Sequence, residues 1–273
     1  MADDLPDYEP MLDAYHRAFA AELRSMIAVL PIGPGMKVLD VASGDGAYAS
    51  WLAERVGPSG LVVAEDVDPR YVELVSRRTA DAPGAPILPV VAGLEHLPFP
   101  RGHFDLAWCA QSFFSLPDPA AATRRMVEAV RPGGVVAVLE DDTLHRVLLP
   151  WPVELELAVR VAERDALAEE SANHPKFYVG RRLRPIFEEA GLVDVQKRTF
   201  AADRHAPMDE DVKTYLRGYL AEIAERVRPR LKGQLRADFE ALVDESGPSA
   251  LLNWPDLSIT LLDHLVWGTK PPA

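Results

Sequence analysis

The chain has 273 residues, of which 48% are hydrophobic, and 42 acidic residues against 29 lysines and arginines give it a formal net charge of −13. A chain of this length and hydrophobic content can bury a sizeable core, either as one large domain or as a domain with an insertion. Its acidic balance argues against a nucleic-acid partner, which normally requires a basic face.

The cellular setting follows from equally simple features. The single cysteine permits no internal disulfide and fits a reducing environment. No stretch approaches the roughly 20 uninterrupted apolar residues of a membrane span. The acidic start of the chain differs from the basic and apolar parts of a signal peptide, so a cytoplasmic protein with no membrane partner is expected.

Apolar side chains recur every three or four residues near the N-terminus, which predicts an amphipathic helix that ends before Pro31 and Gly33. From residue 37 to 140, apolar runs alternate with helical patterns. This alternation predicts an α/β fold with a parallel sheet whose ligands bind at the carboxyl ends of the strands. The predicted strands are 37–41, 61–66, 87–91, 104–110 and 135–140, and the predicted helices are 47–56, 69–80 and 119–130.

A glycine turn follows the first strand and fits a nucleotide-type pocket, because it brings backbone amides and a helix N-terminus close to a ligand. Residues 44–49 read G-x-G-x-x-A, as in dinucleotide-binding proteins. Asp40 and Asp45 oppose that reading, because two carboxylates would repel a diphosphate. The same acids suit a ligand that carries an ammonium and a sulfonium, such as S-adenosylmethionine (SAM).

Residues 40–46, with the pattern D-x-A-x-G-x-G, resemble the first motif of class I SAM-dependent methyltransferases. The Leu-Pro-Phe of 97–99 and the Arg-Pro-Gly-Gly of 131–134 continue the resemblance in the expected order. It implies that an acid at the end of the second strand binds both ribose hydroxyls. Asp66 aligns best, 22 residues after Gly44, and Glu65 and Asp68 are its neighbours.

One position departs from the family pattern. Gly93 replaces the acid that usually meets the adenine amino group, so that contact is lost, moved to Glu95, or left to backbone atoms around Leu94. The cofactor-binding residues that the resemblance implies are Asp40, Ala42, Gly44, Gly46, Asp66, Val67, Gly93, Leu94, Glu95, Gln111 and Tyr15.

The resemblance also implies a Rossmann-like, seven-stranded, mostly parallel sheet whose last strand runs antiparallel between the fifth and sixth. We expect an N-terminal helical cap (1–35), a SAM-binding core (36–142), a helical substrate-cap segment (143–180), and the rest of the sheet (181–273) with a helical lid at about 205–250. Further predicted elements are helices at 153–170 and about 209–245 and strands at 193–199 and 257–268.

The resemblance implies methyl transfer to a small, apolar or aromatic acceptor by in-line displacement, with positioning as the main source of rate. Acceptors with a hydroxyl group need a general base, for which His145 is a candidate and Glu140 is a candidate to orient it. A surface role for His145 fits the sequence equally well. No recognised zinc spacing occurs, so no metal is expected.

Two other functions remain open at this stage. A SAM-binding enzyme of natural-product metabolism that decarboxylates, hydroxylates or cyclises its substrate would have the same cofactor pocket. An NAD-type oxidoreductase would use residues 44–49 as its fingerprint. The acceptor and the existence of a homodimer also stay open.

Overall fold

The computed structural model describes residues 9–272, so residues 1–8 of the predicted 1–35 cap and residue 273 of the last segment lie outside the described residues. The helices are α1 (Glu9–Ala18), α2 (Ala20–Ile27), α3 (Ala47–Val56), α4 (Pro69–Arg78), α5 (Pro119–Ala129), α6 (Val153–Glu170), α7 (Leu183–Glu189), α8 (Glu210–Val227) and α9 (Gly233–Val243). The strands are β1 (Lys37–Val41), β2 (Leu61–Asp66), β3 (Ile87–Val91), β4 (Phe104–Ala110), β5 (Val130–Glu140), β6 (Val147–Leu148), β7 (Val193–His205) and β8 (Ser258–Thr269).

These strands form one mixed sheet in the order β3-β2-β1-β4-β5-β8-β6, and β7 pairs with β8. Strands β1 to β5 are parallel, and β8 runs antiparallel to both β5 and β7. The predicted Rossmann-like sheet with an antiparallel last strand is therefore confirmed. The sheet has one strand more than the seven predicted, because the two residues of β6 pair with Leu261 and Thr260 of β8, beyond the part that β5 covers.

Helices cover both faces of the sheet. One apolar cluster packs α1, α2 and α3 together with α6, α8 and α9 on one face, and a second cluster packs α5 and α7 on the other. The carboxyl ends of the parallel strands lie at one edge, partly covered by α1 and α8, which pack against each other. Within residues 9–272, no helix is long and apolar enough to cross a membrane.

Two predicted helices are each interrupted. The N-terminal pattern forms α1 and α2, because Phe19 leaves the helical conformation (φ −118°, ψ 17°). Its ring packs against Tyr15 and Tyr215 and lies 4.4 Å from the Arg204 guanidinium carbon. The 209–245 pattern divides into α8 and α9, and α8 ends two residues before Pro229, whose ring and missing N–H cannot continue a helix.

A close backbone approach fixes the segment after β5. The 3-10 helix His174–Arg181 packs against the end of that strand, and a Cβ added to Gly180 would lie 2.2 Å from the carbonyl oxygen of Asp141. Any side chain at residue 180 therefore requires the backbone to shift. This contact sets the position of Arg181, the last residue of the 3-10 helix.

We therefore expect Gly180→Ala to lower the free energy of unfolding by about 1–3 kcal/mol, as overpacking in a tight interior does. Urea unfolding followed by circular dichroism measures it. Gly33→Ala is the matched control, because a Cβ at Gly33 meets no heavy atom within 4 Å. Equal stability of the two variants would contradict the proposed constraint.

Candidate active site

The glycine turn after β1 is held in conformations that favour glycine. Gly44 and Gly46 have φ angles of 51° and 82°, and Ala42 shares this left-handed region with a φ of 52°. A Cβ on Gly46 would lie 3.0 Å from Cγ2 of Val75. Backbone strain of this kind concentrates at functional sites.

Two acids at the end of β2 fasten this turn. Glu65 Oε2 accepts a hydrogen bond from the N–H of Ala42 at 3.3 Å, and Asp66 Oδ2 accepts one from Gly44 at 3.0 Å. Asp66 Oδ1 also accepts from the N–H of Asp68 at 2.9 Å. Asp68 instead caps α4 by accepting from the N–H of Arg70, so its carboxylate serves the helix.

Buried carboxyl groups repel one another here. Asp40, Glu65 and Asp66 are all at most 7% exposed. Burial, reinforced by the charges of Asp66, Glu65 and Asp45, raises the pKa of Asp40 well above its ordinary value. Burial raises the pKa of Glu65 to about 7 and also raises the pKa of Asp66. A cation at this edge would relieve the repulsion.

Asp45 has a different role from the one that its position in the turn suggests. Its Oδ2 lies 2.9 Å from His16 Nδ1 and 3.0 Å from Arg78 Nη1. Burial favours the neutral form, but His16, the N–H of Ala47 and Arg78 together hold the pKa of Asp45 below its ordinary value. Asp45 therefore ties α1 to the turn, and the electrostatic case against a diphosphate rests on Asp40 and its neighbours at the end of β2.

Several buried polar atoms beside the turn have no hydrogen-bond partner within residues 9–272. They include Asp40 Oδ2, Ser43 Oγ, Tyr48 OH and Trp108 Nε1. Asp40 and Trp108 are cross-strand partners on β1 and β4, and the Tyr48 ring lies 5.4 Å from that of Trp108. Because buried polar groups are normally paired, unpartnered atoms grouped in this way fit a polar ligand such as SAM.

The predicted adenine side is apolar and open. Val67 is 71% exposed, and a Cβ on Gly93 would approach Cγ1 of Val67 at 3.5 Å. Gly93 precedes the 3-10 helix that contains Leu94 and Glu95, and Glu95 is exposed. These residues lie together after β2 and β3, as the sequence predicts.

Gln111 and Tyr15 meet at a residue that the sequence analysis missed. Gln111, with a φ of 49°, directly follows β4, and its Nε2 donates to Tyr15 OH at 2.6 Å and to Asp263 Oδ1 at 3.2 Å. Tyr15 OH donates to Asp263 Oδ2 at 3.4 Å. Burial raises the pKa of Asp263 to about 6. The sequence feature that could have indicated Asp263 is an acid inside the otherwise apolar strand 257–268.

The acids at the end of β5 contact local backbone N–H groups and Arg146, which also contacts α8. Glu140 accepts from the N–H of Phe113 at 2.8 Å and from that of Asp141 at 3.2 Å, which ties the segment after β4 to β5. Burial raises the pKa of Asp141 to about 7, although Arg146, with Nε 3.7 Å away, opposes the shift. Arg146 also donates to Glu222 of α8 at 3.2 Å.

His145 lies apart from the Tyr15, Gln111 and Asp263 side chains. Its Nδ1 lies 3.3 Å from Arg181 Nη2 and 3.6 Å from Asp142 Oδ2, and its side chain is 55% exposed. Its cavity is lined by Asp142, Arg181, Leu262 and His264. The structure thus brings most predicted cofactor residues to one edge and places His145 elsewhere.

Comparisons with known proteins agree with this geometry. A family model described as "Methyltransferase domain" matches residues 38–134. The ubiquinone/menaquinone biosynthesis C-methyltransferase UbiE of Ralstonia nicotianae is 31% identical over 181 residues, which cover 62% of this chain and 72% of the relative. The Laribacter hongkongensis UbiE is 33% identical over 182 residues, with 63% and 72% covered.

The chain belongs to the class I SAM-dependent methyltransferases. It is an enzyme that uses SAM, so the methyltransferase interpretation of the glycine turn is confirmed over the NAD interpretation.

Solved structures show the same fold. YcgJ of Bacillus subtilis aligns with a TM-score of 0.56 at 17% identity, covering 94% of this chain and 100% of that one. A SAM-dependent methyltransferase of Aquifex aeolicus aligns with a TM-score of 0.50 at 19% identity, covering 69% and 90%.

The buried acids of this methyltransferase make its stability depend on pH. Because the pKa of Glu65 rises from 4.5 to about 7 on folding, the folded state holds the proton more tightly. The contribution of Glu65 to the free energy of unfolding should therefore fall as the pH rises from about 5 to about 7 and then level off. Glu65→Gln should make this decline shallower in urea unfolding of the SAM-free protein.

Glu73→Gln, on the exposed face of α4, is the matched control and should retain the wild-type pH dependence. A wild-type decline that is unaffected by Glu65→Gln would refute the assignment of this proton to Glu65.

Proposed function

We propose that this methyltransferase binds SAM along the carboxyl ends of β1, β2 and β4, and the acceptor next to the Tyr15, Gln111 and Asp263 side chains. The main support is the hydrogen-bonded contact of these three residues, which joins the covering helix α1 to the end of β4 and to β8. At the same edge, Glu65 and Asp66 hold the proposed SAM site in shape by accepting hydrogen bonds from backbone N–H groups of the glycine turn and of Asp68.

In this proposal, Asp66 accepts hydrogen bonds from the ribose, and the turn through Ala42, Gly44 and Gly46 allows close approach of the ligand. The unpartnered carboxylate oxygen of Asp40 favours a positive charge. SAM supplies an electrophilic methyl group on a positively charged sulfur.

The adenine ring is proposed to lie against Val67 and the backbone at Gly93 and Leu94. The exposure of Val67 supports this, because an apolar side chain at the edge suits a flat aromatic ring. Gly93 leaves room there, and Glu95 is the acid available to the adenine amino group.

The acceptor's proton is proposed to pass to Asp263, directly or through Tyr15, and not to His145. Asp263 is 5% exposed and accepts hydrogen bonds from both Tyr15 and Gln111. A carboxyl group whose pKa is raised to about 6 is a more effective base near neutral pH than an ordinary aspartate. Glu140 is proposed to hold the segment after β4 in place.

The chemical balance is simple. The acceptor atom forms a bond to the methyl carbon while the bond from that carbon to sulfur breaks, and S-adenosylhomocysteine leaves. The acceptor's proton goes to the carboxylate of Asp263. The protein's main contribution is alignment of the acceptor and exclusion of water by α1 and α8.

The acceptor is proposed to be a small aromatic or apolar molecule. The relatives are named as C-methyltransferases of ubiquinone and menaquinone biosynthesis, which supports a ring carbon as one candidate for the methylated atom. Tyr215 of α8, whose ring centre lies 5.3 Å from that of Tyr15, adds aromatic surface beside the proposed acceptor position.

The net charge of −13 supports a protein that acts without nucleic acid, and the single, buried Cys109 supports a cytoplasmic setting. A homodimer stays a prediction. The proposed function is tested by incubating the protein with SAM and a panel of phenols, hydroquinones and amines, and by measuring the S-adenosylhomocysteine that forms. No product with any aromatic member, alongside turnover of an aliphatic amine, would contradict the acceptor class.

The cofactor assignment predicts that Asp66→Ala weakens SAM binding by about 1–3 kcal/mol, because ribose hydroxyls and the N–H of Gly44 lose their acceptor. Isothermal titration calorimetry with SAM and S-adenosylhomocysteine measures it. Asp81→Ala, an exposed aspartate beyond α4, should bind like the wild type. Wild-type affinity of Asp66→Ala would contradict the ribose assignment.

The proton-transfer assignment predicts that Asp263→Asn lowers kcat by about 10²–10³-fold with little change in SAM affinity. The wild-type rate should fall below about pH 6 as Asp263 becomes protonated, and this acid limb should disappear in the variant. Tyr15→Phe tests the relay separately. If His145→Gln, rather than Asp263→Asn, removed the acid limb, the base would be His145.

A further inference from the structure

The cavity that contains His145 lies on the other face of the sheet from Asp263. It has a volume of about 220 Å³ and is lined by Asp142, His145, Arg181, Leu262 and His264. His264 neighbours Asp263 on β8, and successive side chains of a strand point to opposite faces. The cavity therefore does not include the Tyr15, Gln111 and Asp263 side chains.

We propose that this cavity is a second binding site that takes a small oxyanion, such as a sulfate, phosphate or carboxylate group. Three of the five lining side chains are a guanidinium and two imidazoles, in a protein whose net charge is −13. Arg181 carries a permanent positive charge, and it and the imidazole rings are groups that can donate hydrogen bonds to an anion.

Each of the two imidazoles in the cavity has one ring nitrogen without a partner among the described residues. Because a guanidinium has only donors, the contact of Arg181 Nη2 with Nδ1 of His145 leaves the proton of a neutral His145 on Nε2. His264 uses its Nδ1, 3.0 Å from Thr199 Oγ1. Within residues 9–272, neither imidazole Nε2 has a hydrogen-bond partner.

The one acid in the cavity is already engaged. Asp142 Oδ2 accepts from Nε of Arg181, and its Oδ1 accepts from the N–H of Leu144 at 3.2 Å. This pairing orients the guanidinium, as carboxylates commonly orient an arginine that binds an anion. Gly180 adds rigidity, because its close approach to Asp141 fixes the residue before Arg181.

The charge around His264 has the sign that an anion site needs. Its pKa is lowered, first by burial and then by positive neighbours, while Asp142 opposes the shift. A bound anion would offset the repulsion between the positive neighbours and a protonated His264, and would therefore favour the protonated imidazole. The titratable and charged groups around it are Lys197 of β7, Arg181 of the 3-10 helix, and Asp142 and His145 after β5.

Sulfate is the probe of choice, because its charge stays constant between pH 6 and 8. Calorimetry at constant ionic strength, with chloride as the reference salt, should detect binding to the wild type. Affinity should increase as the pH falls from 8 to 6, because protonation of His264 adds positive charge beside the anion. In a parallel NMR titration, the side-chain signals of His145 and His264 should move, as assigned from His145→Gln and His264→Gln.

Arg181→Gln should weaken sulfate binding by about tenfold or more, because a charge-assisted hydrogen-bond donor is lost. Arg184→Gln is the matched control, because it changes the net charge equally and also removes a partner of one acid, Glu188. Arg181→Lys is a second variant that keeps a positive charge beside Asp142, so it controls for a folding defect caused by loss of that ion pair. It should bind sulfate more tightly than Arg181→Gln.

Comparison of benzoate with acetate then distinguishes the source of the anion, since both carry the same charge. Tighter binding of benzoate identifies an anionic group on an organic molecule packed against Leu262, and equal binding identifies a free oxyanion. The proposal is overturned if sulfate does not bind, or if Arg181→Gln and Arg184→Gln bind it equally. The Asp263→Asn test is unaffected by that result, because it concerns different residues.

Discussion

The concentration of buried carboxyl groups at one edge of the sheet is the constraint on which the rest of the site depends. Parallel strands end there together, and the chain places acids at several of these ends: Asp40, Glu65, Asp66, Glu140 and Asp141. Burial without a full set of partners is unfavourable for ionised carboxylates, and it raises the pKa of each of them. An edge of this kind favours a cation, and SAM carries a permanent one on the sulfur that donates its methyl group.

The same requirement explains how the covering helices are attached. Acids near the edge that have a cationic partner hold α1 and α8: Asp45 through His16 and Arg78, and Asp141 with Glu222 through Arg146. Among the acids without one, Asp40 and Asp66 are proposed to contact SAM, and Glu140 accepts hydrogen bonds from backbone N–H groups. The same type of side chain thus serves both attachment and the proposed ligand site.

The motif-bearing half of the chain could be predicted closely, because its signals are local. Apolar runs bounded by turn residues define β1 to β4, and the positive φ angles of Gly44 and Gly46 follow from residues that tolerate them. The helical regions were predicted less well. The first helix is interrupted at Phe19, whose ring contacts Tyr215 and Arg204 of distant segments, and the local periodicity does not indicate these contacts. Asp263 was missed for the same reason, since its partners Tyr15 and Gln111 are 248 and 152 residues away in sequence.

The sequence by itself determined the class of fold, the cofactor and the edge at which we propose that it binds, because periodicity, glycine turns and motif order are properties of neighbouring residues. Only the tertiary structure decided which acids are paired and that His145 lies apart from the proposed chemistry. It paired Asp45 with a helix, left an oxygen of Asp40 without a partner, placed Asp263 beside Tyr15 and Gln111, and set His145 in a separate cavity. These outcomes depend on which distant segments meet, and long-range packing sets that for a side chain whose local sequence allows several roles.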